Sequence, residues 1–154
     1  MSSLSHLQDL MARVGPAGDL LIVNEYTAER LWHIGVEDGI EIFAELDEDR
    51  DVLVLSADLG APGRSDPQAL FELCLRTTFA WLATGGLRVG LDRTSGSLTL
   101  LCDFGAASLT LDDLVYALKS FGSRSVAWRD LVARREGEAA LPPDSLSDYT
   151  ILRL

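Results

Sequence analysis

The chain has 154 residues, 47% of them hydrophobic, and a formal net charge of -11. This length suits a single domain, and the apolar content is enough for a hydrophobic core. The excess of acidic side chains argues against binding to nucleic acid or to anionic membrane surfaces, because both attract Lys and Arg.

The amino-terminal residues predict a short amphipathic helix over residues 3–14. Apolar side chains recur from Leu4 to Val14 at steps of three and four residues, which is the spacing of one helix face. Gly15-Pro16 is expected to end this helix. The segment lacks the features of a signal peptide, and no apolar run in the chain approaches the ~18 residues of a membrane helix.

Three strands of an antiparallel meander are predicted after an ambiguous stretch at residues 15–27. Apolar and polar side chains alternate along them, and Asp38-Gly39 between the first two is a hairpin signal. The strand patterns cover residues 31–36, 40–46 and 52–59. Residues 25–58 carry eleven acidic side chains against two arginines. That excess indicates a solvated face or protection against edge-to-edge aggregation.

A helix that is apolar on nearly all sides is predicted over residues 66–84. Asp66 suits its N-cap, Pro67 suits the first helical position, and Gly85-Gly86 should end it. One apolar stripe consists of Leu70, Leu73, Cys74, Thr77 and Trp81, and a second consists of Phe71, Leu75, Phe79 and Leu82. A surface helix of a monomer needs only one such stripe. The helix is therefore either a central core helix or one that packs on its own sheet and on a second copy.

Two further strands and a last helix complete the pattern. Residues 87–92 and 97–104 alternate as strands joined by a hairpin loop that ends in glycine. Thr110 and Asp113 resemble a capping box at the start of the helix. Gly122 falls within the helical pattern, which leaves open one long helix with a soft middle or two short helices.

The predicted element order is helix, three strands, helix, two strands, helix. Strands joined by tight turns indicate an α+β fold, here with a twisted antiparallel sheet and three helices. Residues 1–135 form the predicted domain. Residues 136–154 are polar and contain prolines, so we interpret them as a tail in which residues 149–154 are a candidate anchor.

Little in the sequence predicts catalysis. His6 and His33 are the only histidines, and the chain has no G-x-S-x-G motif. Its carboxylates lie mostly in predicted turns, where we expect them to be solvated. They do not lie inside apolar segments, which would raise their pKa. Cys74 and Cys102 lie in apolar patterns without a Cys or His at metal-ligand spacing, so we expect reduced core residues. We expect no enzymatic activity, no metal and no cofactor.

Several strings of the sequence resemble the class I type III secretion chaperones, the family of the Tir chaperone CesT. They are LVLSADLGAP at the end of the meander, DPQALFELCLRTTFAWLAT in the middle helix, and LRVGLD followed by SGSLTLLCDF. The order of elements, the small size and the acidity are also similar. The resemblance covers residues 3–133.

The resemblance implies a homodimer, paired through the middle helix and the neighbouring strand. It also implies that the dimer binds the N-terminal region of a secreted effector in extended form and keeps it soluble in the bacterial cytoplasm. The implied effector-binding residues are Leu4, Leu7, Met11, Ile34, Phe43 and Leu53. The implied dimer residues are Phe71, Leu75, Phe79, Leu82 and Val89. A place in the protein's own core is the alternative for each effector-binding residue.

The remaining implications concern partners. The secretion-system ATPase is a further candidate partner, whereas nucleic acid and membrane insertion are not expected. A second hypothesis is a non-catalytic YbjN-like adaptor that binds a folded protein. A third is a small hydrolase with an unrecognised site.

Overall fold

Six antiparallel strands form one sheet in the computed structural model, which describes residues 2–20 and 22–135. The strands are β1 (Ile22–Tyr26), β2 (Leu31–Gly35), β3 (Glu41–Asp47), β4 (Val52–Gly60), β5 (Arg88–Leu91) and β6 (Leu98–Gly105). The helices are α1 (Ser3–Gly18), α2 (Gln68–Phe79) and α3 (Leu111–Ala133). The order across the sheet is β1-β2-β3-β4-β6-β5, so β1 and β5 are its edges. The predicted α+β class, with three helices and an antiparallel sheet, is confirmed.

One face of the sheet forms the core. Along β3, Ile42, Ala44 and Leu46 are buried while Glu41 and Phe43 on the opposite face are exposed, as the alternation in the sequence predicted. Helix α1 packs on α3, and α3 packs on β4 and β6. The two helices therefore cover the buried face.

Strand β1 was not predicted from the sequence, which left residues 15–27 unassigned. Its side chains are exposed apart from Val23, which is half-buried, so the segment has no clear alternation of apolar and polar residues. The strand is defined by its pairing with β2, in which Ile22 lies opposite Gly35 and Tyr26 opposite Leu31. The sheet therefore has one more strand than expected.

Helix α1 extends four residues beyond its predicted end at Val14. Pro16 lies in the last turn of the helix instead of terminating it. The residue before a proline is normally kept out of the helical region by its own Cβ atom. Gly15 has none, so the helix continues to Gly18 and ends at Asp19, which adopts a left-handed conformation with φ 52°.

Helix α2 is shorter than the predicted span of residues 66–84. It begins after Pro67, and the Asp66 carboxylate accepts a hydrogen bond from the Gln68 backbone N–H at 3.2 Å. It ends at Phe79, and the six residues after it, 80–85, form turns. Thr84 stabilises this turn, because its hydroxyl donates to the carbonyls of Ala80 and Trp81. Gly85-Gly86 therefore lies at the end of a turn and not directly after a helix.

Helix α3 is continuous over 23 residues, which decides between the two alternatives for its middle. The capping box of Thr110 and Asp113 is present. A Cβ atom added at Gly122 would lie 3.1 Å from a Val36 methyl group. Glycine therefore serves here to bring α3 close to the end of β2, and it does not break the helix. The predicted tail at residues 136–154 lies outside the described residues.

Candidate docking surfaces

The edge strand β1 presents apolar side chains to solvent. Ile22 is 46% exposed and Tyr26 is 47% exposed. Gln8 on α1 donates a hydrogen bond to the Glu25 carboxylate at 2.8 Å, which holds the helix beside the strand. An edge strand carries backbone N–H and C=O groups that no neighbouring strand satisfies. The β1 edge is therefore a surface to which an extended segment could add.

A surface cavity of about 520 Å³ lies between α1 and β1. Met11, Gly15 and Pro16 line it from the helix, and Leu20 and Val23 line it from the other side. Asp19 is also part of the lining, so the cavity combines apolar side chains with a carboxylate. It therefore suits a segment lying along β1 that carries both apolar and polar side chains.

A second cavity of about 290 Å³ continues past the end of α1. Leu20 borders both cavities, and Val36 and Gly122 line the second one. Lys119 and Asp38 add charged groups to its lining. The two cavities together form successive depressions along the α1 side of the molecule.

The opposite side of the molecule carries a cluster of exposed apolar side chains, which we call the α2 patch. Its members are Leu75, Phe79, Trp81, Leu82 and Leu91, which are 70%, 90%, 53%, 76% and 56% exposed. Four of them lie on α2 or the turn after it, and one lies on β5, which α2 contacts. Single exposed apolar residues are ordinary, but a cluster of this kind marks an interaction surface.

The structure distinguishes the two stripes of the middle helix. Leu70, Cys74 and Thr77 of the first stripe are buried against the protomer itself. Of the predicted dimer residues, Leu75, Phe79 and Leu82 are exposed, whereas Phe71 and Val89 are half-buried against the core. The second stripe is thus the one available to a partner, and its pairing with a second copy stays a prediction.

The edge formed by β5 is occupied by a side chain of α2. The Thr78 hydroxyl accepts a hydrogen bond from the Val89 N–H at 3.1 Å and donates one to the Val89 carbonyl at 3.5 Å. Both backbone groups of Val89 are therefore satisfied without another strand. This edge is closed at its centre.

Four of the predicted effector-binding residues lie in the protomer's own core. At most 2% of each residue is exposed for Leu7, Met11, Ile34 and Leu53. The apolar periodicity that suggested a binding face for them is the same periodicity that places them in the core. For these four residues the structure shows the alternative, which is a position in the protein's own core. Met11 still borders the cavity between α1 and β1.

The other two predicted effector-binding residues are accessible. Leu4 is half-buried on α1, and Phe43 is exposed on the uncovered face of the sheet. The Phe43 ring stacks on His33, with ring centroids 5.2 Å apart. Their contact with an effector stays a prediction.

Charged groups on the uncovered face are paired across strands. Asp103 on β6 accepts hydrogen bonds from Arg88 on β5 and from Arg50 in the turn between β3 and β4. The hydrogen bond to Asp103 raises the pKa of Arg88 further above its usual value, although partial burial acts against this. This cluster holds neighbouring strands together and leaves the guanidinium groups with ordinary structural roles.

The described residues contain no arrangement typical of catalysis or metal binding. His6 Nε2 lies 2.7 Å from the Leu109 carbonyl oxygen, and His33 is stacked on Phe43. Burial raises the pKa of Cys74 and of Cys102 to about 11, so both thiols stay protonated near neutral pH. Within residues 2–20 and 22–135, no group of three His, Cys, Asp or Glu side chains could hold a metal ion.

Sequence reasoning missed several surface residues. Ile22 and Tyr26 were missed because β1 was not recognised as a strand. Leu91 was treated as an ordinary strand residue, and Trp81 was placed in the first stripe and not among the implied dimer residues. The signal available for Ile22 and Tyr26 was a large apolar residue at each end of a five-residue segment containing Asn24 and Glu25.

Solved structures with the same fold include chains of type III secretion chaperone complexes. A chain of the ExsC–ExsE complex has a TM-score of 0.72 at 21% identity, covering 86% of this chain and 97% of that chain. A chain of the HopA1–SchA chaperone–effector complex has a TM-score of 0.68 at 16% identity, with coverages of 83% and 96%. The Yersinia pestis type III secretion chaperone SycH in complex with a fragment of YscM2 gives 0.62 at 14% identity, with coverages of 78% and 97%. The fold is thus that of the type III secretion chaperones.

The family is established by the sequence. Residues 25–129 match the model of the Tir chaperone protein (CesT) family, and the chain belongs to that family. This assignment confirms the resemblance found in the sequence. No curated protein sequence matches the chain. The E. coli protein YbjN also shares the fold, with a TM-score of 0.52 at 13% identity over 82% of this chain and 87% of that chain.

In the described part of the chain, no helix is both long enough and apolar enough to cross a membrane.

Proposed function

We propose that this chain acts as a homodimeric type III secretion chaperone that binds the N-terminal region of one or more effector proteins in extended form. The observation that carries the proposal is the position of β1 at the edge of the sheet formed by the described residues, beside a cavity of about 520 Å³. An extended segment can pair with such an edge and place side chains in the cavity at the same time. Family membership supports the same function.

Binding at β1 would combine two kinds of contact. Backbone hydrogen bonds to the edge strand supply affinity that does not depend on sequence, and side chains entering the cavity supply selectivity. Leu20 and Val23 line the cavity that such side chains would enter. A disordered segment loses entropy when it is ordered, so it must cover a large surface to bind well. Leu4 and Phe43 are the predicted effector-binding residues that could extend this surface.

The α2 patch is the proposed dimer interface. Phe79 is 90% exposed in the protomer, and burying an aromatic side chain of this kind contributes on the order of 2 kcal/mol. A second copy would present the same patch, as a two-fold symmetric interface requires.

The remaining parts of the proposal follow from the class of protein. We infer that the chain is not an enzyme, uses no cofactor and works in the bacterial cytoplasm. The effector is the principal partner, and the secretion-system ATPase is a further candidate. Neither nucleic acid nor membrane insertion is part of the proposed function.

The alternative is a YbjN-like adaptor that binds a folded protein, which the shared fold supports. Co-expression with candidate effectors encoded nearby, followed by purification of the complex, tests both. If the proposal is right, an effector that lacks its first ~100 residues, about one domain's length of chain, will no longer co-purify. Those residues alone should be sufficient for binding.

Retention of the truncated effector would contradict the proposal and favour the adaptor. Turnover of generic ester or phosphate substrates, abolished by one Ser or Asp substitution, would instead favour the hydrolase. An unrelated protein with an equally long N-terminal segment serves as the control for non-specific capture.

A further inference from the structure

Arg124 is a buried arginine on α3. Only 8% of it is exposed, and its Nη1 donates a hydrogen bond to the Thr84 carbonyl oxygen at 3.3 Å. Arginine is seldom fully buried unless its guanidinium is paired. Burying a charge without partners is costly, so an arginine in this position indicates that the contact it makes is structurally important.

The Thr84 carbonyl belongs to the turn that follows α2. Thr84 is itself buried, and its backbone N–H donates to the Ala80 carbonyl at 3.1 Å. The Gly86 N–H donates to the Trp81 carbonyl at 2.7 Å. On the inner side of the turn, the Cys102 thiol donates to the Gly85 carbonyl. The turn at residues 80–86 is thus held from inside by α3 and β6.

The outer side of the same turn carries two members of the α2 patch, Trp81 and Leu82. Neither lies on the regular part of α2, which ends at Phe79. Their positions are therefore set by the conformation of the turn and not by the helix. A surface that is ordered before association loses less entropy when it binds.

We propose that Arg124 is a positioning residue for the dimer interface: its bond to Thr84 holds the 80–86 turn in the conformation that places Trp81 and Leu82 in the α2 patch. This inference rests on the proposed dimer. Arg124 acts through the turn, because the side chain is buried and lies on a different helix from the patch. It thereby couples the core helix α3 to the interface.

The test replaces Arg124 with methionine, which keeps an unbranched apolar stem and removes the donor. Arg124→Met should raise the dimer dissociation constant at least tenfold, measured by sedimentation equilibrium. It should also speed amide hydrogen exchange at Thr84 and Gly86. Exchange in β2 and β3 should not change.

Arg129→Met is the matched control. Arg129 lies on the same helix and also donates to turn carbonyls, those of Asp38 at 3.0 Å and Gly39 at 3.4 Å. That turn carries no member of the α2 patch, so this variant should loosen the β2–β3 turn and leave the dimer dissociation constant unchanged. Val132→Ala, a core change on α3, controls for general loss of stability and should also leave it unchanged.

The inference is overturned if the wild type is dimeric and Arg124→Met changes neither the dissociation constant nor exchange at residues 80–86; the proposed function would then stand. It is also overturned if Val132→Ala, at matched stability, weakens the dimer equally. A monomeric wild type would overturn the dimer and this inference together, while effector binding could still be measured. If Arg124→Met does not fold, Arg124→Lys is the second variant, and it should weaken the dimer to an intermediate extent. A dimer dissociation constant equal to that of the wild type in Arg124→Lys would contradict the inference.

Discussion

The two edges of the sheet differ in what lies against the backbone groups of their edge strands. At the β5 edge, the Thr78 hydroxyl satisfies the N–H and the carbonyl of Val89. At the β1 edge, no other strand follows within residues 2–20 and 22–135, and a cavity lies between the strand and α1. One edge is therefore closed to strand pairing, and the other remains suited to it.

This difference separates two kinds of association in one small protein. Beside the closed edge, the exposed features are apolar side chains, which suit packing against another folded surface. Beside the open edge, the backbone hydrogen-bonding groups of β1 lie next to a cavity, and this combination suits an extended segment. A sheet with two open edges would risk indiscriminate edge-to-edge pairing. The Thr78 contact with Val89 opposes such pairing at the centre of β5, so the proposed strand addition is assigned to β1.

The largest expected effect comes from placing a charge in the α2 patch. Phe79 is 90% exposed in the protomer, so Phe79→Asp should leave the fold intact. A charge buried without a partner in the dimer interface costs several kcal/mol, so we expect the dimer to weaken about 100-fold or more, which is equivalent to about 2.8 kcal/mol. Light scattering after gel filtration measures the change.

Ala69→Asp is the control for this experiment, since Ala69 is an exposed α2 residue outside the patch. It should remain dimeric. A wild type that is monomeric at micromolar concentration would refute the interface assigned to the patch.

The next effect tests the closed edge. Thr78→Val keeps the shape of the side chain and leaves the Val89 N–H and carbonyl without their partner. We expect a loss of about 1–3 kcal/mol in the free energy of unfolding, the usual cost of unsatisfied buried polar groups, measured by urea denaturation. Exchange of the Val89 amide should become faster. Thr78→Ser retains the hydroxyl and should stay close to wild type; equal losses in both variants would mean that packing, not hydrogen bonding, holds this edge.

The smallest effect concerns the open edge. Lysine on an edge strand opposes strand addition, so Ile22→Lys should weaken binding of the effector's N-terminal segment about tenfold, roughly 1.4 kcal/mol. Isothermal titration calorimetry measures this, and the dimer should be unaffected. Leu91→Lys, on the other edge, should weaken the dimer and leave binding of the effector segment unchanged. If Leu91→Lys weakens segment binding while Ile22→Lys does not, the roles of the two edges are reversed.

The strongly patterned elements could be predicted from the sequence. Strands β2, β3, β4, β5 and β6 were each predicted to within one residue at either end, because alternation and turn signals such as Asp38-Gly39 are local. Strand β1 could not be predicted, because an exposed edge strand is defined by its hydrogen bonds to β2 rather than by its side chains. The turn that follows the early end of α2 contains contacts that no local pattern contains, such as the hydrogen bond from Arg124 to the Thr84 carbonyl.

The candidate site was harder to predict than the fold. The pattern identified two apolar stripes on α2 and apolar residues on α1 and the meander, but apolar character alone does not distinguish core from interface. Ile34 and Leu53 are buried, while Phe43, on the opposite face of the same sheet, is exposed. The residues exposed at the sheet edges were found only from the structure.

By itself, the sequence determined the fold class, the positions of most strands and the resemblance to the CesT family, because each depends on local periodicity or on matching strings of residues. The tertiary structure decided which stripe of α2 remains exposed, which edge of the sheet is closed and where the cavity beside β1 lies. These features depend on residues far apart in the chain, such as Thr78 with Val89 and Arg124 with Thr84. Their contacts form only when the chain is folded, so no local pattern could reveal them.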